Sequence, residues 1–172
     1  MYFMQLNKIL LSAIAIFGMT SVAYADQGHG SVTFSGSVIE SPCSINPDSV
    51  YQDVPLGQIS TVTLKDGGTS DPRPFQIKLE NCTVATAAAV TATFSGPESA
   101  TGLLGMTGTV KGASIAITDG TGAVLKLGSP SAKQVLQTGY NTLSFSAYVQ
   151  GDGKDVTPGE FQSIADFTLA YQ

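Results

Sequence analysis

Few residues in this chain of 172 could do chemistry: two cysteines, Cys43 and Cys82, one histidine, His29, and 13 acidic side chains. Two thiols and one histidine make a poor zinc set, so no metal or other cofactor is expected. A Ser-His-Asp site would have to use His29, which lies in a leading segment of glycine and polar residues. No pair of carboxylates is singled out by spacing for acid–base work. Gly102-Leu103-Leu104-Gly105 and Gly120-Thr121-Gly122 match no phosphate loop and read as flexible turns. Asp152-Gly153-Lys154-Asp155 lacks the alternating carboxylates and closing glutamate of a calcium loop and reads as a solvated turn. No catalytic residue is expected, and the chain does not read as an enzyme.

The cysteines then read as a structural pair. Residues 1–25 have the features of a secretory signal: Lys8, the apolar run Ile9 to Met19, and the small-x-small site Ala23-Tyr24-Ala25. The run is too short to span a bilayer, which needs about 20 apolar residues. Export would place Cys43 and Cys82 in an oxidising compartment, where a disulfide is the default. Closing a loop of about 40 residues stabilises by roughly 4 kcal/mol in the chain-entropy model. The same pairing weakens Asn81-Cys82-Thr83 as a glycosylation site. Removal of the signal leaves 172 − 25 = 147 residues, one domain's worth, with 7 basic and 13 acidic side chains and a formal net of 7 − 13 = −6. No basic patch exists for nucleic acid, and no membrane span is expected in the mature chain.

The elements that must position these residues read as strands. Phe75, Ile77 and Leu79 alternate up to Asn81-Cys82; Val90, Ala92 and Phe94 alternate up to Gly96-Pro97. Ile115 and Ile117 lead to the hairpin signal Asp119-Gly120, followed by Val124 to Leu127. Leu143, Phe145, Ala147 and Val149 alternate, as do Ala165, Phe167, Leu169 and Tyr171. Val38 to Ile45 and Val54 to Ile59 are shorter candidates, and Pro42 confines part of the former to an edge or bulge. Ala85 to Ala89 could hold one helical turn. Short strands between Gly, Pro, Asn and Asp turns indicate a sandwich or barrel.

Gly28 to Val38 is the odd stretch. Gly28, Gly30, Val32, Phe34, Gly36 and Val38 share one phase, and half of that phase is glycine. Glycine weakens a strand and often marks close approach of another backbone. Two readings are open: a first strand of the domain's own sheet, or a strand inserted into a narrow groove of another molecule.

Taken together, the motifs resemble the chaperone–usher pilins, in particular major subunits of type 1-like fimbriae. They are the leading Gly30, Val32, Phe34 and Gly36, and Cys43 seven residues later. Val54-Pro55-Leu56-Gly57 and Asn81-Cys82 follow. Gly159 is the fourteenth residue from the end (172 − 159 + 1), and Tyr171 is penultimate. The resemblance implies an all-β, incomplete immunoglobulin-like sandwich lacking its final strand. It implies a signal peptide at 1–25, an N-terminal donor-strand extension at 26–37 and a pilin domain at 38–172. Gly30, Val32, Phe34 and Gly36 would be donated to another subunit. Gly159, Ala165, Phe167, Leu169 and Tyr171 would bind a periplasmic chaperone. An outer-membrane usher and identical or related pilins would be the other partners. The expected function is a structural subunit of a surface fimbria used in adhesion, exported through the periplasm, with a minor pilin (adaptor, terminator or anchor) as the alternative.

Overall fold

The computed structural model describes residues 29–36, 38, 41–85 and 88–172. The signal segment, Gly28, Ser37, Ile39, Glu40 and part of the 85–89 stretch lie outside the described residues. The chain divides after Val38, and its two units are taken separately.

In residues 39–172 the strands are β1 (Ser44–Ile45), β2 (Arg73–Cys82), β3 (Ala89–Ser95), β4 (Thr107–Gly108), β5 (Ala113–Asp119), β6 (Gln134–Val135), β7 (Gly139–Gly151), β8 (Phe161–Gln162) and β9 (Asp166–Tyr171). One sheet has the order β1-β2-β7-β5, a second has β6-β3-β9, and β4 and β8 form a small ribbon. All of these pairings are antiparallel. This is the immunoglobulin-like arrangement that the resemblance implies, ending at β9.

Alternation decides which side chains meet. On β7, Leu143, Phe145, Ala147 and Val149 are buried while Thr142, Ser144 and their phase are not. From β2 the same face receives Ile77 and Leu79, and from β5 Ile115 and Ile117. The second sheet supplies Val90, Ala92 and Phe94. Phe94 lies edge-on to Phe145 at 5.0 Å and to Phe75 at 6.0 Å, and Phe75 stacks on Phe145 at 5.6 Å. This aromatic group joins the two sheets.

The disulfide depends on a break in the pattern. Continued from Phe75, Ile77 and Leu79, the period would turn residue 81 inward and Cys82 outward. The register against β7 shifts between Leu79 and Cys82, and Asn81 takes a φ of 53°. Asn tolerates this left-handed conformation better than most side chains. The bulge turns Cys82 into the core, where it is bonded to Cys43.

Three expected strands are reduced. Of Val38 to Ile45, only Ser44–Ile45 pairs among the described residues. After the turn at Asp119, Val124 makes a single bridge to Thr118 rather than a strand. Val54 to Ile59 is inward-facing at Val54, Leu56 and Ile59 but belongs to no sheet.

In the N-terminal unit, the described residues 29–36 form no strand. Val32 and Phe34 are 76% and 91% exposed. A Cβ on Gly30 or Gly36 would meet nothing within 4 Å. Alternation gives this segment two faces, but a ladder needs a partner strand.

Candidate functional site: an apolar groove along an open strand edge

The candidate site is a groove of about 1000 Å³ in residues 39–172. One wall is residues 52–59, the other runs from Val156 to Phe167, and its floor includes Phe75, Phe94, Ile117 and Val149. The groove thus opens directly onto the core.

The first wall is not closed by backbone hydrogen bonds. Among the described residues, 51–59 make no backbone–backbone hydrogen bond. Pro55 has no N–H to offer, and Gly57 has a φ of +77° that interrupts extension. The segment is anchored on either side. Before it, the Ser49 hydroxyl accepts the Lys78 N–H at 3.0 Å. After it, Leu64 is buried and donates its N–H to the Thr61 carbonyl at 3.2 Å.

The opposite wall is tied to residues 107–111 over its 157–162 stretch, and past Phe167 it continues along β9, which among the described residues pairs with β3 on one side only. Gln172 N–H donates to Ala89 O at 2.9 Å and Ala89 N–H to Gln172 O at 3.0 Å. Antiparallel ladders alternate, so the next such pairs are Thr91 with Ala170, Thr93 with Thr168 and Ser95 with Asp166. The N–H and C=O groups of Phe167, Leu169 and Tyr171 therefore point away from β3, where no strand is paired among the described residues. Their side chains are half-buried and face the core. An open edge beside an uncovered apolar floor is a template for strand addition.

Ala165, Phe167, Leu169 and Tyr171 thus fall on one inward row. The same period reaches back through Ser163 to Phe161, two positions the strand pattern also supplied but the sequence reading left out. Burial pushes the Tyr171 hydroxyl's pKa up, and a hydrogen bond with the Ser41 side chain works against that shift. Ser41 in turn donates to the Cys43 carbonyl at 2.8 Å, close to the disulfide. Gly159 lines the groove but is off β9, and a Cβ there would strike the Thr109 hydroxyl. Its small size has a local packing reason. Gly30, Val32, Phe34 and Gly36 belong to the other unit. Among the described residues no group of His, Cys, Asp and Glu is arranged to hold a metal.

Comparison with known proteins agrees with this geometry. A family model for fimbrial protein matches residues 32–172. The chain is 56% identical to the Fimbria A protein of Serratia marcescens, over 98% of this chain and 100% of that one. It is 50% identical to the Major MR/P fimbria protein of Proteus mirabilis, again over 98% and 100%. A solved chaperone–usher pilus structure, described for the uncoiling of its rod, superposes with a TM-score of 0.75 at 33% identity, covering 85% of this chain and 97% of its own. The chain belongs to the fimbrial protein family, and is a structural subunit of a bacterial surface fimbria.

Proposed function

We propose that the groove receives an extended strand from another molecule, and that this is how the subunit polymerises. The observation that carries the reading is the unpaired edge of Phe167, Leu169 and Tyr171 beside a groove floored by core side chains. In the fibre the donor is the segment 26–37 of the neighbouring subunit. Val32 and Phe34 are its apolar anchors, each contributing roughly 1.5–3 kcal/mol on full burial. Gly30 and Gly36 let its backbone come close to the floor. About 11 residues of strand reach roughly 36 Å. Before assembly, a periplasmic chaperone covers the row Ala165, Phe167, Leu169 and Tyr171 together with Gly159, and an outer-membrane usher exchanges it for the donor. Each contact is heterologous, so the chain of contacts propagates as a filament. Residues 1–25 are removed on export, and 38–172 form the folded domain. No catalytic step is needed: the free energy is that of a completed sheet and a covered core.

The test is deletion of residues 29–36 alongside Gly30→Leu, each assayed for chaperone-bound subunit and for surface fibres. The deletion is expected to leave chaperone-bound subunit at normal levels and abolish fibres. Gly30→Leu overpacks the contact by about 1–3 kcal/mol and is expected to slow assembly. Loss of the chaperone-bound subunit in the deletion would show that the segment belongs to the domain's own core. Antibody against the chain is expected to label the whole shaft; label at one end only would make it a minor pilin.

A further inference from the structure

Residues 107–112 and 152–162 run past each other as a narrow ribbon, and the second arm forms one end of the groove wall. β4 pairs with β8 through Thr107 with Gln162 and Gly108 with Phe161. Beyond this short ladder, Thr157 N–H donates to Lys111 O at 3.0 Å and Asp152 N–H to Gly112 O at 2.8 Å. Three glycines mark where the arms touch. A Cβ on Gly108 would meet the Glu160 carbonyl, on Gly112 the Asp155 carbonyl, and on Gly159 the Thr109 hydroxyl.

The last contact differs from the other two, because a side chain makes it. Thr109 holds both backbone groups of Glu160. Its N–H donates to the Glu160 carbonyl at 3.0 Å, and its Oγ1 accepts the Glu160 N–H at 3.1 Å. Pro158, two residues earlier, has no N–H with which to join a ladder. The groove-lining stretch Pro158-Gly159-Glu160 is therefore placed from behind by a residue that does not itself line the groove.

We propose that Thr109 is a positioning residue for strand acceptance: its hydroxyl fixes the 158–160 wall at the spacing an incoming strand needs. This rests on the groove being the strand acceptor. It also gives Gly159 a role within the subunit, as the site where the wall leaves room for that hydroxyl.

The experiment compares Thr109→Val, which keeps the shape and loses the acceptor, with Thr109→Ser, which keeps the acceptor. Surface fibres of each are incubated in SDS at fixed temperature and the release of subunits is timed. Thr109→Val fibres are expected to release subunits about two- to tenfold faster than wild type, the range of one modest hydrogen bond. Thr109→Ser fibres are expected to match wild type, and the urea midpoint of the isolated Thr109→Ser subunit to match it too, while that of Thr109→Val falls slightly because the lost bond lies within the subunit. Wild-type release from Thr109→Val, or equal acceleration in Thr109→Ser, would overturn the proposal. Gly159→Ala is expected to cut fibre yield, and Thr109→Ala in the same chain to recover part of it; no recovery would overturn the assigned contact. Normal fibres from a chain lacking residues 29–36 would instead strike the groove reading, so the two failures are separable.

Discussion

β7 and β9 carry the same alternation and end up in different states. On β7 the inward residues Leu143, Phe145 and Val149 are 2%, 2% and 1% exposed. On β9 the inward residues Phe167, Leu169 and Tyr171 remain half-buried. The residue types do not account for this, since each row has leucine and an aromatic. The neighbours do. β7 is flanked by β2 on one side and β5 on the other, while among the described residues β9 has β3 alone. A period of two says which way a side chain faces; only an adjacent strand covers it. Under the proposed strand acceptance, such an uncovered row is binding energy held in reserve for assembly.

Truncating one phenylalanine from each row gives the largest contrast. Phe145 touches Phe75 and Phe94 in the closed core, so Phe145→Ala is expected to cost about 3–5 kcal/mol in urea unfolding of the subunit. Phe167 meets Phe94 at 6.3 Å at the open side, and Phe167→Ala is expected to cost the isolated subunit about 1–2 kcal/mol, in keeping with its partial burial. Its larger effect should appear as faster release from fibres. Equal losses in the isolated subunit would break the comparison.

The disulfide sharpens it from the closed side. Cys43 and Cys82 are 39 positions apart and tie the chain ahead of the 51–59 wall to β2. The double variant Cys43→Ser/Cys82→Ser is expected to lose roughly 4 kcal/mol of subunit stability in the chain-entropy model. Hydrogen exchange should show the loosening first in residues 41–59 and leave the β3–β9 amides comparatively unchanged. A loss confined to β9 would contradict this division.

The smallest effect lies at the exposed turn after β5, where Asp119 pairs with Phe145 of β7. The carboxylate accepts the Thr121 hydroxyl and the N–H groups of Thr121 and Ala123. Its pKa is held below the usual carboxylate value, chiefly by the Thr121 hydroxyl, against desolvation and with help from the backbone N–H groups of the turn. A lowered folded-state value means the stabilisation is present above the ordinary carboxylate pKa and is lost as pH falls through the folded value. Urea midpoints of wild type and Asp119→Asn should therefore differ slightly near neutrality and converge in acid. A difference that grows in acid would reverse the sign.

The amino-acid sequence determined the strands with long alternating rows, because side-chain direction in a strand is a local property. It also determined the cysteine pair, the absence of a basic patch, and the marks of a fimbrial subunit spread along the chain. Other features were decided only in three dimensions. Cys82 faces inward because a bulge at Asn81 shifts the phase, and no period count can foresee an inserted residue. Val54, Leu56 and Ile59 read as a strand, yet they become a groove wall because no partner lies alongside. Gly159 stood out by its distance from the chain's end. That the Thr109 hydroxyl fills the space where its side chain would be is a contact between residues 50 positions apart (159 − 109), and such a contact exists only once the ribbon has folded.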